Sequence, residues 1–411
     1  MLKKYLKDSL GAVMPVVALM LPVIVGVAGV GTDVSFWMMT RQDLQTAADA
    51  AAVAGAWEAA RGADDAVIQD GAEKEAVNNS YVPSMNGNIL VQYDPDEEVV
   101  NVTLQQDAQS FLAKAVSATP AHVLVTAQAS ILPGTDDFCI LSLEDTELGS
   151  LTTSGTVDLE MPDCGIAVNS SSDSAFKVNG NVTINVDTIS IVGGLSVSGG
   201  SGTVTYNDLN ENAAPIRDPY ANFEPVMGTS CNYNNTSISG GGTKHLYPGV
   251  YCGGLRIRGN NNVIMHPGVY TFKGGAVDIA GGGTLTGTNV SLILTNSGSN
   301  YATLSITGNR VVNLSAPAEG SDNAGMLVWQ DPGAPSGGVN SILGTADIIL
   351  DGVLYFPEQE LNLGGNSTEV SDTCTKVVAR TVILHGNPFL GNDCSNKPMA
   401  PITAPRVKLS A

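Results

Sequence analysis

PGVYCGGLRIRGNNNVIMHPGVYTFKGGAVDIAGG, residues 248–282, decides the fold of most of this chain. Its short runs of β-branched and aromatic residues, LRIRG, VIM, VYTF and AVDIAG, meet at corners of Gly and Asn, and hardly a helix former lies between them. Pro-Gly-Val-Tyr occurs twice, at 248–251 and 267–270, nineteen residues apart. Such near-repetition means that one structural rung is being reused.

The same texture extends outward in both directions. VDLEM, FKVNGNVTINVDTISIV, LSVSG and TVTYN precede the stretch, with GGLSVSGG at 193–200 among them. NVSLILT, ATLSITG, VVNLSA, GMLVWQ, ADIILDGVLYF and KVVARTVILHG follow it. Short strands, Gly and Asn corners, and apolar residues able to stack in columns are what a right-handed parallel β-helix requires. An antiparallel sandwich is the competing architecture, and the strand spacing favours the solenoid. We place this β-helix-like domain at 136–396. An insertion at 207–242, rich in Asn and holding Pro215, Pro219 and Pro225, is too polar to be buried and is expected to lie over one face. The closing segment 397–411, KPMAPITAPRVKLSA, shows no clear element and reads as a terminal strap or frayed tail.

Six cysteines, Cys139, Cys164, Cys231, Cys252, Cys374 and Cys394, all lie in this region. An even number favours disulfides, with fifteen possible connectivities. Sequence neighbours are 25, 21 and 20 residues apart, about one coil of a solenoid, so the expected pairs are Cys139–Cys164, Cys231–Cys252 and Cys374–Cys394. No CxxC occurs, and the four histidines, His122, His245, His266 and His385, read as surface or loop residues rather than ligands. We expect no metal and no cofactor.

Parallel β-helices can host glycan-cleaving sites, which need carboxylates or cations clustered along one groove. The candidates are Asp278, Asp347, Asp351, Arg256, Arg258 and Lys273, none in a paired-carboxylate motif. Gly-x-Ser-x-Gly, Walker and dinucleotide motifs are also missing from the sequence. The expectation is a protein that is not an enzyme, with no catalytic residues. A net charge of −21 over 411 residues argues against a nucleic-acid role.

The amino end has a different character. Ala12 to Val30 is apolar and uncharged, and nineteen residues make about 28 Å of helix, enough for one membrane crossing. Lys3, Lys4 and Lys7 precede it against Asp8, which places the amino terminus in the cytoplasm and the rest outside the membrane, with net charge −23. A cleaved secretory signal is the rival reading, with small residues near Val27, Ala28 and Gly29. Pro15 and Pro22 predict a bent helix. The next stretch, 33–62, is rich in helix formers and sets Trp37, Leu44, Ala48, Ala51 and Gly55 near one face. That stripe suits either the protein's own domain or close approach by partner helices.

Residues 62–135 read as a small α/β module: a helix from Asp64 to Val77, strands NILVQYD and VVNVTLQ about a DPDEE turn, a short helix near Phe111 to Val116, and strand VLVTAQASI. The domains are therefore 1–61 (head, transmembrane helix and its continuation), 62–135, 136–396 and 397–411. The fold class is α+β followed by all-β.

The run from Gly11 to Ala56 resembles the amino-terminal segment of the TadE/TadG-like proteins of the Tad (Flp) pilus assembly system. Leu44, Gln45, Ala47, Ala48, Asp49, Ala50, Ala51, Ala52, Ala54 and Gly55 match the family's Ala-rich signature, set at a fixed distance from a membrane span. The resemblance continues through 99–131. It implies a pilin-like helix packing through Leu44, Ala47, Ala48, Ala51, Ala54 and Gly55. It also implies partners among pilin-like subunits and the inner-membrane assembly machinery, and a bacterial inner-membrane location with the later domains periplasmic or on the extracellular pilus. Prepilins of this system are cut after a Gly with a Glu five residues on; counted from Gly11 that position is Val16, so no such processing is implied. The Asp-x-Ser-x-Ser metal motif of larger relatives is missing. Two functional readings follow: a minor pilin-like, tip or assembly subunit displaying a solenoid, or a surface adhesin or glycan-binding protein that pilus assembly does not need.

Overall fold

In the computed structural model, residues 13–110, 121–200, 202–366, 372–388 and 390–410 are described. The lysine head, Gly11, Ala12 and the short helix near Phe111 to Val116 lie outside them. The chain divides into two compact units, one of residues up to Leu132 together with those from Pro405, the other Pro133–Ala404.

The first unit is built on helix α1, Val13–Ala60, 48 residues or about 72 Å long. Helix α2, Asp65–Asn78, follows, with the Asp64 carboxylate accepting the Val67 N–H at its start. Strands β1 (Asn88–Asp94), β2 (Val99–Ala108) and β3 (Ala121–Pro133) form an antiparallel sheet. In the turn between β1 and β2, Asp94 Oδ1 accepts the N–H groups of Asp96 and Glu97. Val100, Val102 and Leu104 of β2 alternate inward, with Val125, Ala127, Ala129 and Ile131 of β3, onto the two helices. A fourth strand, Pro405–Ser410, lies beside β3. The segment read as a frayed tail thus completes this sheet: Val407 packs on its core and Ser410 Oγ lies 3.1 Å from Ser130 Oγ. Three prolines around a six-residue strand mask its alternation in the sequence.

The second unit is a parallel β-solenoid of about eleven turns. In one column of strands the spatial order is 233–234, 249–252, 268–273, 290–295, 326–330, 353–356, 375–379, 138–142, 165–168, 189–191 and 209–211. At 4.7–4.9 Å per step this column is about 48 Å long. The chain therefore starts mid-stack. It winds outward to 211, crosses back to the far end, and winds from 233 until its last turn seats on the first.

That crossing corrects the reading of 207–242 as an insertion. Residues 203–211 and 233–246 are strands of end turns, and only 212–232 crosses. The crossing segment is tied along the stack. Ile216 exchanges two hydrogen bonds with Asn169, Tyr355 Oη donates to Asp218 at 2.7 Å, Val226 N–H donates to Asn323, and Asn232 N–H to the Val250 carbonyl. It is also less polar in effect than its composition, because Ile216 and Tyr220 are buried over Phe138, Leu141, Val353 and Val378. Burial raises the Asp218 carboxyl above its ordinary range, against hydrogen bonds from Tyr355 and the Tyr220 N–H.

The nineteen-residue offset is likewise only partly the rung. Strand 242–246 pairs with 261–265 at that offset, but Tyr251 then faces Phe272, so two extra residues are taken up at the Gly268 corner. The paired aromatics still fill one column: Tyr233 stacks on Tyr251 at 4.5 Å and Tyr251 on Tyr270 at 6.0 Å. In another column Asn261, Gly283 and Arg310 succeed one another. Gly283 adopts φ +82°, and a Cβ there would meet the Asn261 carbonyl at 2.1 Å. That carbonyl accepts from the buried Arg310 guanidinium, which also bonds the Thr284 and Gly259 carbonyls.

Disulfides join Cys139 to Cys164, Cys231 to Cys252 and Cys374 to Cys394. Two of them meet where the last turn seats on the first, with Cys139 Sγ 3.9 Å from Cys394 Sγ. Ion pairs cross the same seam. Lys376 reaches both oxygens of Asp137 at 2.7 and 2.8 Å, and Arg380 reaches Glu144 at 2.7 Å and Glu147 at 2.9 Å.

Candidate anchoring and assembly helix

Helix α1 consists of two chemically different halves. From Met14 to Val30 its large apolar side chains face solvent: Leu19 is 77% and Ile24 64% exposed. Helix length and composition there suffice to cross a membrane. Pro22 sits inside the helix without ending it. Just beyond the span, Thr32, Ser35 and Thr40 turn their hydroxyls back onto carbonyls four residues earlier, Ala28, Gly31 and Phe36. Such back-bonding keeps polar side chains satisfied without a second element. Phe36, Met38 and Met39 are also exposed, an apolar continuation whose signal is the run FWMM.

From Leu44 the helix belongs to its own module. Leu44, Ala47, Ala48 and Ala51 are fully buried, Gly55 is buried and Ala54 half-buried. A Cβ on Gly55 would stand 3.2 Å from Val100 and 3.5 Å from Ala72, so the small residues let β2 and α2 approach the helix closely. Of the two uses open to this stripe, its own domain or partner helices, the buried small side chains are in contact with the module itself. Trp37 Nε1 donates to Ser110 Oγ at 2.9 Å, and Gln45 Nε2 donates to Asp49 and to the Thr126 carbonyl. Only the half before Leu44 keeps an apolar surface for lipid or other helices.

Of the acidic and basic residues weighed as a catalytic groove, Arg256, Arg258 and Asp278 come together. Arg258 pairs with Asp278, Asp351 takes Lys397 at 2.8 Å and the Cys374 N–H, and Lys273 donates to the Thr229 carbonyl. Arg256 is the register partner of Asp278, whereas Asp347 lies elsewhere, beside Val312. Sequence reasoning missed Asp137, Lys376 and Arg380, whose importance comes from a turn order that local spacing does not encode.

The family model for Flp pilus-assembly TadE/G-like proteins matches residues 11–60. No curated protein and no solved structure matches the chain. The match covers the anchoring half of α1 and the alanine-rich half that seats it. Residues 11–60 thus match a TadE/G-like Tad segment, and a large parallel β-solenoid follows in the chain.

Proposed function

We propose that this protein is a minor pilin-like, tip or assembly subunit of the Tad (Flp) pilus, held in the bacterial inner membrane by α1 and displaying its solenoid outside. The observation that carries this reading is the division of α1 within the TadE/G-like segment, where one half is apolar and exposed and the other is locked into an α/β module. The helix rigidly links membrane and head, as a subunit inserted among other single-pass helices requires. The lysines before the span, Lys3, Lys4 and Lys7, support a cytoplasmic amino terminus. Its partners in this reading are pilin-like subunits and the membrane assembly machinery. The solenoid acts by display, not by catalysis.

Deleting the gene is expected to abolish pili, and a tag following residue 411 to label filament ends or the envelope in immuno-electron microscopy. Pili that persist while surface attachment fails would replace this reading with the adhesin or glycan-binding one; if both persist, neither stands. Substituting Ile24 with Arg puts a charge mid-span at about 2.5–3.5 kcal/mol. The variant is expected to leave the membrane fraction or to be degraded. Unchanged fractionation would remove α1 as the anchor.

A further inference from the structure

Two of the four histidines, one solenoid turn apart in sequence, meet on the surface of the solenoid. His245 lies in strand Gly242–Leu246, part of the turn at one end of the stack, and this strand pairs in parallel with Asn261–Met265 of the next turn. His266 stands at the corner that follows that second strand. His245 Nδ1 is 3.1 Å from His266 Nε2. The His266 ring is held in place: it lies against Tyr247 with centroids 4.5 Å apart and planes within 4°, while its backbone carbonyl accepts from Tyr270 Oη at 2.7 Å. The His245 side chain is exposed.

Imidazole nitrogens bind first-row divalent cations at about 2.0–2.1 Å, so two on one cation at angles near 90–110° stand roughly 2.9–3.4 Å apart. The observed spacing falls in that interval. Without a cation, the same two nitrogens share one proton as an N–H···N hydrogen bond, and a modest swing of the exposed His245 ring would turn both lone pairs toward one cation. No third His, Cys, Asp or Glu joins them in a cluster among the described residues, so the other coordination positions are open to water. A net charge of −21 favours cation approach, although Lys244 is adjacent in sequence.

We propose that His245 and His266 form a two-imidazole chelate for a divalent transition cation of the Ni2+, Cu2+ and Zn2+ class, clipping the end turn of the solenoid to the next one. The end turn has stacking partners on one side only, and Cys231–Cys252 already fastens it at another corner. The chelate supplies a second fastening, at the turn where rungs fray most easily. It does not depend on the pilus reading above.

The test uses full-length protein in detergent, without a histidine tag, titrated calorimetrically with Ni2+ in excess Mg2+ to occupy scattered carboxylates. One equivalent is expected to bind, with affinity reduced about ten-fold or more in His245→Asn and in His266→Gln and unchanged in His122→Asn. Amide exchange of residues 242–246 is expected to slow when Ni2+ is present. Failure of the wild-type protein to bind one equivalent, or undiminished binding by both variants, overturns the site. Binding without slower exchange overturns the clip.

Discussion

Replacing Lys376 with alanine is expected to destabilise the solenoid by about 2–3 kcal/mol, read as a fall in the urea midpoint followed by circular dichroism. The Lys376 side chain is 2% exposed, and its ammonium bonds both oxygens of Asp137, with the Ala400 carbonyl at 3.2 Å. Without it, Asp137 keeps the Ile402 N–H and partial hydration but loses its counter-charge. Breaking a fully buried pair costs about 3–5 kcal/mol, and the 34% exposure of Asp137 puts this one below that range. Lys74→Ala, which removes a solvent-exposed pair with Asp70, is expected to leave the urea midpoint unchanged. A Lys376 variant equally silent would mean that the closing seam is held by strand pairing, the Arg380 ion pairs and the crossing segment. Proteolysis should agree: the variant is expected to be cut sooner in 375–404, the turn that seats on 138–142.

Ala51→Leu is expected to cost the α/β module about 2 kcal/mol or more. Ala51 is fully buried among the helix, α2 and sheet residues, and extra methylenes in so tight a space force backbone shifts. The change also separates the two uses of the alanine stripe. If the stripe serves the module, amides of β2 exchange faster in the isolated full-length protein. A stripe reserved for partner helices would leave those amides protected and affect assembly alone. Ser35→Leu, on the exposed half, is expected to leave the module unchanged.

The rungs of the solenoid are legible in the sequence because each is a local event: β-branched residues, then a Gly or Asn corner. The disulfides are legible for the same reason, each linking turns close in sequence. Turn order is different. Parallel strands pair through backbone groups, and apolar columns of similar width stack on one another regardless of origin. Nothing in 375–387 names 138–154 as its neighbour except Lys376 and Arg380 opposite Asp137, Glu144 and Glu147, and that complementarity appears only once the turns are stacked. The alanine face of α1 shows a similar limit. Its small side chains announce close packing, but Ile68, Ala72 and Val100, which occupy it, carry no matching mark. The His245–His266 meeting depends on the two extra residues at the Gly268 corner being placed after His266.

The strand at 405–410 gives the chain an unusual order of completion. A ribosome makes α1, α2 and β1 to β3 first, yet the sheet they form keeps an open edge on β3 until about 270 further residues have been made. Open edges recruit stray strands, so the young module is at its most vulnerable while the solenoid is still being wound. Its final hydrogen bonds also report on everything between: a chain whose synthesis stalls within the solenoid never supplies Pro405–Ser410. A finished first domain is thereby a record that the second was made in full.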